Sequence, residues 1–254
     1  MIELSGLQGV AARVGVAVRS LEDFSVLGPE VEAEAAFPAA SVIKVGIMSC
    51  LLDAVAGGEM SLSDRVAVDT DVMVGGAGVL FELEPRDYSL AELCRLMMVV
   101  SDNTASNALA RHLGLERLNA FWKGRGYSAS MQRFFMDPVV EGRDNRMTPL
   151  SAASMLRDLY SGLGLTAELR EFAVGCLRRQ QYREKIPQML PEELVVGHKT
   201  GELEGVRHDA AVIETERPYI LVVLTAQGDS PWLVDREIAL FSLALYQGQT
   251  LPAQ

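Results

Sequence analysis

A serine and a lysine lie three positions apart at Ser41 and Lys44, in the segment Pro-Ala-Ala-Ser-Val-Ile-Lys-Val-Gly-Ile-Met. Residues i and i+3 of a helix share one face, so the lysine amine would lie beside the serine hydroxyl. An alcohol is a weak nucleophile at neutral pH and needs a neighbouring base. Burial favours the neutral form of a lysine, which can accept that proton. The pair therefore indicates acyl transfer at a serine nucleophile.

A Ser-x-x-Lys pattern fixes only two of four residues and often occurs by chance, so this pair needs support from its surroundings. Pro38 interrupts the preceding segment, and residues 39–55 are apolar nearly all round. Such a pattern is typical of a helix at the centre of a domain. Lys44 would then be buried, where a lysine is rarely found without a partner or a role.

A second polar motif, Ser101-Asp102-Asn103, lies between two predicted helices at 89–100 and 104–113. Serine, aspartate and asparagine are preferred helix N-cap residues, which is a sufficient structural explanation. A helix start also aims a hydroxyl and an amide into a neighbouring cleft. In that interpretation Ser101 passes a proton to a leaving group, and Asn103 holds a substrate amide or Lys44.

A third motif, Lys199-Thr200-Gly201, follows a predicted strand at its end. The structural alternative is a strand-end lysine followed by a turn glycine. The functional interpretation is a cation and a hydroxyl for a substrate carboxylate, with a glycine that lets substrate lie along the strand. The backbone N–H of Glu202 would then pair with that of Ser41 as an oxyanion hole.

Composition limits the class of protein. The chain has 254 residues, enough for one large domain or two closely packed subdomains with a sizeable core. Its 49% hydrophobic and 22% charged residues are typical of a globular protein. The net charge of −11 and the lack of a basic stripe argue against a nucleic-acid partner. We find no apolar run of membrane-spanning length and expect a monomer.

The three cysteines, Cys50, Cys94 and Cys176, are odd in number and include no Cys-x-x-Cys pair. This pattern favours neither a zinc site nor a disulfide framework, although a Cys50–Cys94 bridge stays open. We expect no metal and no cofactor. The first residues lack a basic region followed by an apolar core, so we expect a cytoplasmic protein, or a secreted one if a leader was removed.

The order of predicted elements indicates an α+β fold. Strands are predicted at 14–19 and, more weakly, 25–34; a long helical middle follows, then strands and a last helix. The middle helices are predicted at 39–55, 89–100, 104–113, 116–123, 149–160 and 167–179, the later strands at 194–198, 209–214 and 219–226, and the last helix at 231–247. We expect an antiparallel sheet lobe from residues 1–36 and 186–254, and a helical lobe from residues 37–185 that carries Ser41 and Lys44. The cleft between the lobes is the expected site.

Taken together and in this order, the three motifs are the signature of the penicillin-recognising serine enzymes. The sequence resembles the class A β-lactamases of that superfamily, including the 60-residue gap from Ser41 to Ser101. Residues 143–149 resemble the exit of the class A omega loop, and residues 198–201 and 205–213 resemble two of its sheet strands. The resemblance covers nearly the whole chain and implies a two-lobed α+β fold with an antiparallel sheet, terminal helices and an all-helical lobe.

The resemblance implies a role for each matched residue. Ser41 would be the acylated nucleophile, Lys44 its base partner and Ser101 the proton relay. The substrate-binding set would be Asn103, Lys199, Thr200, Gly201, Glu202 and Arg207. For Arg207 a solvated arginine at a strand end is an equally good explanation. Substrates would be small β-lactams, esters or peptides.

One residue of the class A pattern is missing. Those enzymes activate the deacylating water with a glutamate in Glu-Pro-x-Leu-Asn, whereas residues 134–142 here read Phe-Phe-Met-Asp-Pro-Val-Val-Glu-Gly. Asp137 falls where the glutamate is expected, and Glu141 is a second candidate. Aspartate is one methylene shorter, and a misplacement of about 1 Å can cost about a hundredfold in rate. Asp137 as a simple turn residue before a proline is the structural alternative.

A second departure is the glycine-rich loop of residues 75–80, where class A enzymes usually place an aromatic residue. Glycines there predict a wider or more mobile cleft. Three functions share the same acylation chemistry: a β-lactamase, an esterase or D-amino-acid peptidase, and a covalent penicillin receptor without turnover. The step that separates them is removal of the acyl group.

Overall fold

The computed structural model describes residues 4–228 and 230–250. Its α-helices are α1 (Ser5–Val10), α2 (Lys44–Ala56), α3 (Leu90–Val99), α4 (Asn103–Leu113), α5 (Leu115–Gly124), α6 (Pro149–Ser161), α7 (Ala167–Arg178) and α8 (Pro231–Thr250). Its strands are β1 (Ala11–Ser20), β2 (Phe37–Pro38), β3 (Arg65–Val68), β4 (Arg86–Ser89), β5 (Ala129–Ser130), β6 (Arg146–Met147), β7 (Val196–Leu203), β8 (Val206–Ile213) and β9 (Tyr219–Gly228). Short 3₁₀ helices span Ala40–Ile43 and Leu80–Glu82. None of the helices described is long and apolar enough to cross a membrane.

The main sheet joins the two ends of the chain in the order β1-β9-β8-β7, with each neighbouring pair antiparallel. β9 is buried along most of its length and reads Tyr-Ile-Leu-Val-Val-Leu-Thr-Ala. A strand that is apolar at successive positions is covered on both faces. The sheet is therefore the central layer of the protein, with β1 at one edge and β7 at the other.

The two faces of the sheet pack against different helices, because alternate strand residues point to opposite sides. Val16 and Val223 share a buried cluster with Ile238 of α8. Ala17 and Val222 belong instead to the larger cluster that contains the helical middle of the chain. The α+β architecture expected from the order of elements is confirmed, while the exact lobe boundaries stay a prediction.

The predicted second strand at 25–34 is wrong as a regular element. The segment makes only isolated bridges to β1, at Arg19–Val26 and Val16–Val31, within the part of the chain that is described. Gly28 and Pro29 lie between the two bridges, and proline has no N–H to donate to a ladder.

The nucleophile segment begins differently from the predicted helix. Residues 40–43 form a 3₁₀ turn, and α2 starts only at Lys44. Ser41 therefore precedes the α-helix instead of lying on it. Other helix starts agree with the sequence signals: Ser89 and Glu92 form a capping box for α3, and Thr148 caps α6.

β7 is longer than predicted and runs on to Leu203. It continues because β8 pairs with it as far as Leu203–Val206, across a tight hairpin whose Gly205 has a positive φ of 65°. Lys199, Thr200 and Gly201 therefore lie inside an edge strand and not at its end. An edge strand offers unpaired backbone groups to a ligand.

Candidate active site

A cleft of about 550 Å³ opens between the 3₁₀ turn of residues 40–43, the start of α4, β7 and two loops. The two loops consist of residues 75–80 and 133–145, and we call them the 75–80 loop and the 133–145 loop. The predicted site residues among its lining are Ser41, Ser101, Asn103, Asp137, Thr200, Gly201 and Glu202. Residues distant in sequence therefore meet in one cavity.

Ser41 is held by an unusual backbone conformation and a close neighbour. Ala40 before it has a φ of 45°, in the left-handed region that costs an L-residue energy. A side chain at Gly201 would place its Cβ 3.1 Å from the Ser41 amide nitrogen. Glycine at 201 thus lets β7 lie directly against the nucleophile turn.

Lys44 is fully buried, as predicted, but its amine does not bind Ser41. Lys44 Nζ lies 2.7 Å from the Ser101 carbonyl oxygen, 3.1 Å from Ser101 Oγ and 2.8 Å from Asn103 Oδ1. It also lies 4.4 Å from the centre of the Phe135 ring. The second motif therefore holds the amine in place beside the nucleophile turn.

Burial lowers the pKa of Lys44 well below its ordinary value, and the nearby Lys199 cation lowers it further. The hydrogens of Lys44 Nζ are donated to the Ser101 carbonyl oxygen, Ser101 Oγ and Asn103 Oδ1. The lowered pKa favours the neutral amine, which is the form that can act as a base.

Lys199 completes a chain of polar groups. Its Nζ lies 3.0 Å from Ser101 Oγ and 2.8 Å from the Thr200 carbonyl oxygen. Burial lowers the pKa of Lys199 to about 7, although the Asp209 carboxylate opposes this. The Ser101 hydroxyl thus lies between two buried lysine amines, which is the arrangement that a proton relay requires.

Asp102 ties the same motif to the 75–80 loop. Its carboxylate accepts from the N–H of Ala105, as an N-cap of α4, and also from the N–H groups of Val79 at 2.6 Å and Leu80 at 2.8 Å. Asn103 Nδ2 donates to the Gly75 carbonyl oxygen at 3.0 Å. The motif is therefore both a helix cap and part of the site, so the two interpretations hold together.

Gly76 of the 75–80 loop lies against the 133–145 loop. A Cβ there would lie 2.8 Å from Met136 Sδ and 3.1 Å from Asn103 Nδ2. The Met136 side chain therefore occupies the space that a larger residue at 76 would fill. A wider or more mobile cleft than in class A enzymes stays a prediction.

The 133–145 loop is held at its neck. Arg133 Nε donates to Asp144 Oδ1 at 2.8 Å, and Asn145 Oδ1 accepts from the N–H groups of Gln132 and Arg133. Further along, the Asn107 side chain of α4 both donates to and accepts from the Phe135 backbone, at 3.1 and 2.8 Å.

The two candidate carboxylates of this loop differ in position. Asp137 lines the cleft, is exposed, and accepts a hydrogen bond from the Phe134 N–H at 3.3 Å. Glu141 is not part of the lining, and its side chain is 79% exposed and paired with Arg143. The loop therefore presents Asp137 to the cleft, where it also makes the turn contact expected of an aspartate before proline.

Arg207 does not line the cleft. Its Nε donates to Asp235 at 2.8 Å, and its Nη1 lies 2.9 Å from Glu202 Oε2. It therefore meets the site through Glu202, and its direct contact with a substrate carboxylate stays a prediction.

Sequence reasoning missed Lys185, whose buried Nζ lies 2.6 Å from Glu202 Oε1. It follows Arg183 and Glu184, and such a run of charges is typical of a solvated surface. The nearby Tyr182 was missed as well, although it lines the cleft. No local signal distinguishes either residue.

The cysteines are all free and buried, so the Cys50–Cys94 bridge left open by the sequence is absent. The neighbour of Cys94 is Cys176 of α7, and this thiol raises the pKa of Cys94 together with burial. The pairing depends on the packing of α3 on α7, which no spacing in the sequence reveals.

The cleft of this two-lobed α+β fold is lined by Ser41 and Ser101, and two buried lysines lie beside it, on the Ser101 hydroxyl. This arrangement defines the class: the protein is a serine hydrolase. Comparison with known proteins agrees. A model described as the beta-lactamase enzyme family matches residues 3–249, and the chain belongs to that family.

The relatives are β-lactamases of moderate similarity. β-Lactamase Toho-1 of Escherichia coli is 29% identical over 225 residues, which cover 85% of this chain and 76% of that protein. A β-lactamase of Streptomyces lavendulae is 28% identical over 256 residues, covering 92% of this chain and 82% of the relative. Hydrolysis of β-lactams is the activity of the family.

Solved structures agree on the fold. A β-lactamase from Sphaerobacter thermophilus superposes with a TM-score of 0.88 and 26% identity, covering 99% of this chain and 100% of that one. PBP-A superposes with a TM-score of 0.85 and 25% identity, covering 96% and 94%. The resemblance to class A β-lactamases inferred from the three motifs is confirmed.

Proposed function

We propose that this protein hydrolyses β-lactams through an acyl-enzyme formed at Ser41. One observation carries the proposal. The Ser101 hydroxyl lies 3.1 Å from Lys44 Nζ and 3.0 Å from Lys199 Nζ, both lysines are fully buried, and Ser41 lines the same cleft.

Acylation begins with neutral Lys44 taking the proton of the Ser41 hydroxyl as Oγ bonds to the lactam carbonyl carbon. The N–H groups of Ser41 and Glu202 stabilise the oxyanion. The carbon–nitrogen bond then breaks, and the proton passes from Lys44 through Ser101 to the leaving nitrogen.

Substrate is oriented by its carboxylate. Protonated Lys199 supplies a cation, and the Thr200 hydroxyl donates a hydrogen bond. Asn103, already bound to Lys44 and to the 75–80 loop, has its amide at the cleft wall, where it faces the acylamide group of a substrate.

Deacylation uses water and Asp137. The Asp137 carboxylate takes a proton from a water molecule as the water oxygen bonds to the acyl carbon. The bond between that carbon and Ser41 Oγ then breaks, and Asp137 returns the proton to Ser41 Oγ, which regenerates both groups. Asp137 and Asp144 of the 133–145 loop both line the cleft, but the Asp144 carboxylate accepts a hydrogen bond from Arg133 Nε. Glu141 does not line the cleft. These contacts support Asp137 over the other two carboxylates.

The test is a chromogenic cephalosporin mixed with enzyme in deficit and then in excess, with intact-mass detection of the adduct. We expect steady turnover, a transient adduct, and loss of both in Ser41→Ala by at least about a thousandfold. Ser63→Ala, at an exposed serine outside the cleft lining, is the matched control. An equal adduct on Ser41→Ala contradicts the proposal.

A second candidate is a covalent penicillin receptor that is acylated but turns over slowly. It is favoured by the short Asp137 carboxylate, which already accepts a hydrogen bond from the Phe134 N–H. A variant of the structural neighbour PBP-A has been solved as an acyl-enzyme complex with penicillin G. One stoichiometric burst with no further turnover would support this function. Hydrolysis of a short-chain ester without any lactam reaction would support an esterase.

A further inference from the structure

The Glu202 side chain is placed where the proposed mechanism has no use for it. The mechanism needs only its backbone N–H, yet its carboxylate lines the cleft and is 45% exposed. Glu202 Oε1 lies 2.6 Å from Lys185 Nζ, and Oε2 lies 2.9 Å from Arg207 Nη1. The carboxylate is thus bound between two cations at the carboxylate-binding end of the cleft.

These two cations lie behind Glu202 as seen from the cleft. Lys185 has no exposed side-chain surface and the Arg207 side chain is only 17% exposed, and neither lines the cavity. Burial opposes ionisation of Glu202, but Lys185 and Arg207 hold the pKa of Glu202 below its ordinary value. Glu202 is therefore a bound anion that covers a buried pair of cations.

Glu202 supplies one of the negative charges that face Lys185 and Arg207. Asp235 pairs with Arg207 and lies 3.8 Å from Lys185, and the buried Asp209 carboxylate also interacts electrostatically with Lys185. Loss of the Glu202 charge makes this group one unit more positive, close to Lys199. That change favours binding of an anion from the cleft.

The position of Glu202 follows from the strand register. Glu202 of β7 is paired directly with Arg207 of β8, and opposite charges at such a pair attract. Because Lys185 approaches from the segment before β7, the carboxylate is drawn toward both cations instead of into solvent.

We propose that the Glu202 carboxylate is a specificity-determining group: it occupies the anion site formed by Lys185 and Arg207, and so disfavours substrates with a carboxylate at the Lys199–Thr200 end of the cleft. Substrates that carry no charge at this end of the cleft are therefore acylating agents of higher relative rate than those with a carboxylate. The inference rests on the proposed function, since it concerns which acyl donors reach Ser41.

The test compares a chromogenic cephalosporin that has a free carboxylate with its methyl ester. In Glu202→Gln the side chain keeps its size and loses its charge. We expect the acid-to-ester ratio of second-order acylation rates to rise at least about tenfold in Glu202→Gln. The ratio should not change in Glu204→Gln, a matched loss of charge at an exposed residue two positions away. An unchanged or smaller ratio in Glu202→Gln overturns the proposal.

A second measurement separates this inference from the proposed function. If neither compound acylates the wild-type protein, the proposed function fails, and the anion site is judged by acetate alone. Here the side chain itself is removed so that the anion site is open: at constant ionic strength, acetate should raise the Tm of Glu202→Ala and leave the wild type and Glu204→Ala unchanged, because a ligand that binds only the folded state stabilises it. An equal response of all three proteins overturns the inference.

Discussion

The two sides of the cleft are built in different ways. The group of Lys44, Ser101 and Lys199 lies in the interior, where each amine has short contacts to fixed oxygens. The 133–145 loop faces it and is held at its neck by Arg133, Asp144 and Asn145, with an exposed aspartate beyond. We assign acylation to the first side and deacylation to the second.

The difference teaches where the chemistry is preorganised. A buried polar group left without a partner costs about 1–3 kcal/mol, so the packed core holds the lysine group in one arrangement. The polar groups of a surface loop can bind water when the loop rearranges, so the loop has more conformational freedom. Acylation should therefore be robust, while the deacylation rate should depend on a few loop contacts.

The largest effect is expected from breaking the buried side. Lys44→Met keeps the side-chain length but removes the base, so acylation should fall by about a hundred- to ten-thousandfold. The Ser101 carbonyl and Asn103 Oδ1 lose a donor, so the free energy of unfolding should fall by about 1–3 kcal/mol. Burst kinetics and urea titration measure the two effects. Lys123→Met, at an exposed lysine, should change neither; retained acylation in Lys44→Met would show that another group is the base.

The next effect isolates the loop side. Asp137→Asn should slow deacylation by about a hundredfold and leave acylation within about twofold, because only the water-activating carboxylate is lost. Intact-mass spectrometry after a pulse of penicillin should show the trapped adduct. Glu141→Gln removes a charge from the same loop outside the cleft lining and is the control. If both variants deacylate like the wild type, Asp137 has no part in the step.

A pH series tests whether Lys199 acts through its charge. The pKa of Lys199 is lowered to about 7, so the amine is protonated below pH 7 and neutral above it. Binding of a carboxylate substrate should therefore weaken, by up to about tenfold, as the pH rises through 7, while the methyl ester shows no such change. KM measured from pH 6 to 8.5 gives the profile. Lys199→Arg stays charged and should remove the pH dependence; a profile unchanged by this substitution would assign it to another group.

The smallest effect is expected at the neck of the loop. Asp144→Asn weakens the ion pair between Asp144 and Arg133. The Asp144 side chain is 12% exposed and the Arg133 side chain is 16% exposed. Deacylation should slow by about tenfold or less, with unfolding free energy changed by about 1 kcal/mol, since such pairs contribute little. Single-turnover kinetics separate this from acylation, which should not change. Arg143→Met, which breaks the exposed pair with Glu141, is the comparison; a larger loss there would mean that the neck does not position Asp137.

Most of the fold was predictable because its signals are local. The starts of α3 and α6 carry capping residues, and the nearly continuous burial of β1 and β9 is visible in their apolar runs. The segment 25–34 was mispredicted because its β-formers surround Gly28 and Pro29. The strand end at 198 was misplaced because pairing with β8, and not propensity, carries β7 onward.

The sequence by itself determined which chemical groups are present and in what order: the spacing of Ser41, Lys44, Ser101 and Lys199, and the loss of the usual omega-loop glutamate. Only the tertiary structure decided that Lys44 binds Ser101 and Asn103, and that Glu202 is held between Lys185 and Arg207. The reason is physical. Residue type and spacing are local properties, whereas hydrogen-bond partners and pKa values depend on burial and on charges brought close from distant parts of the chain.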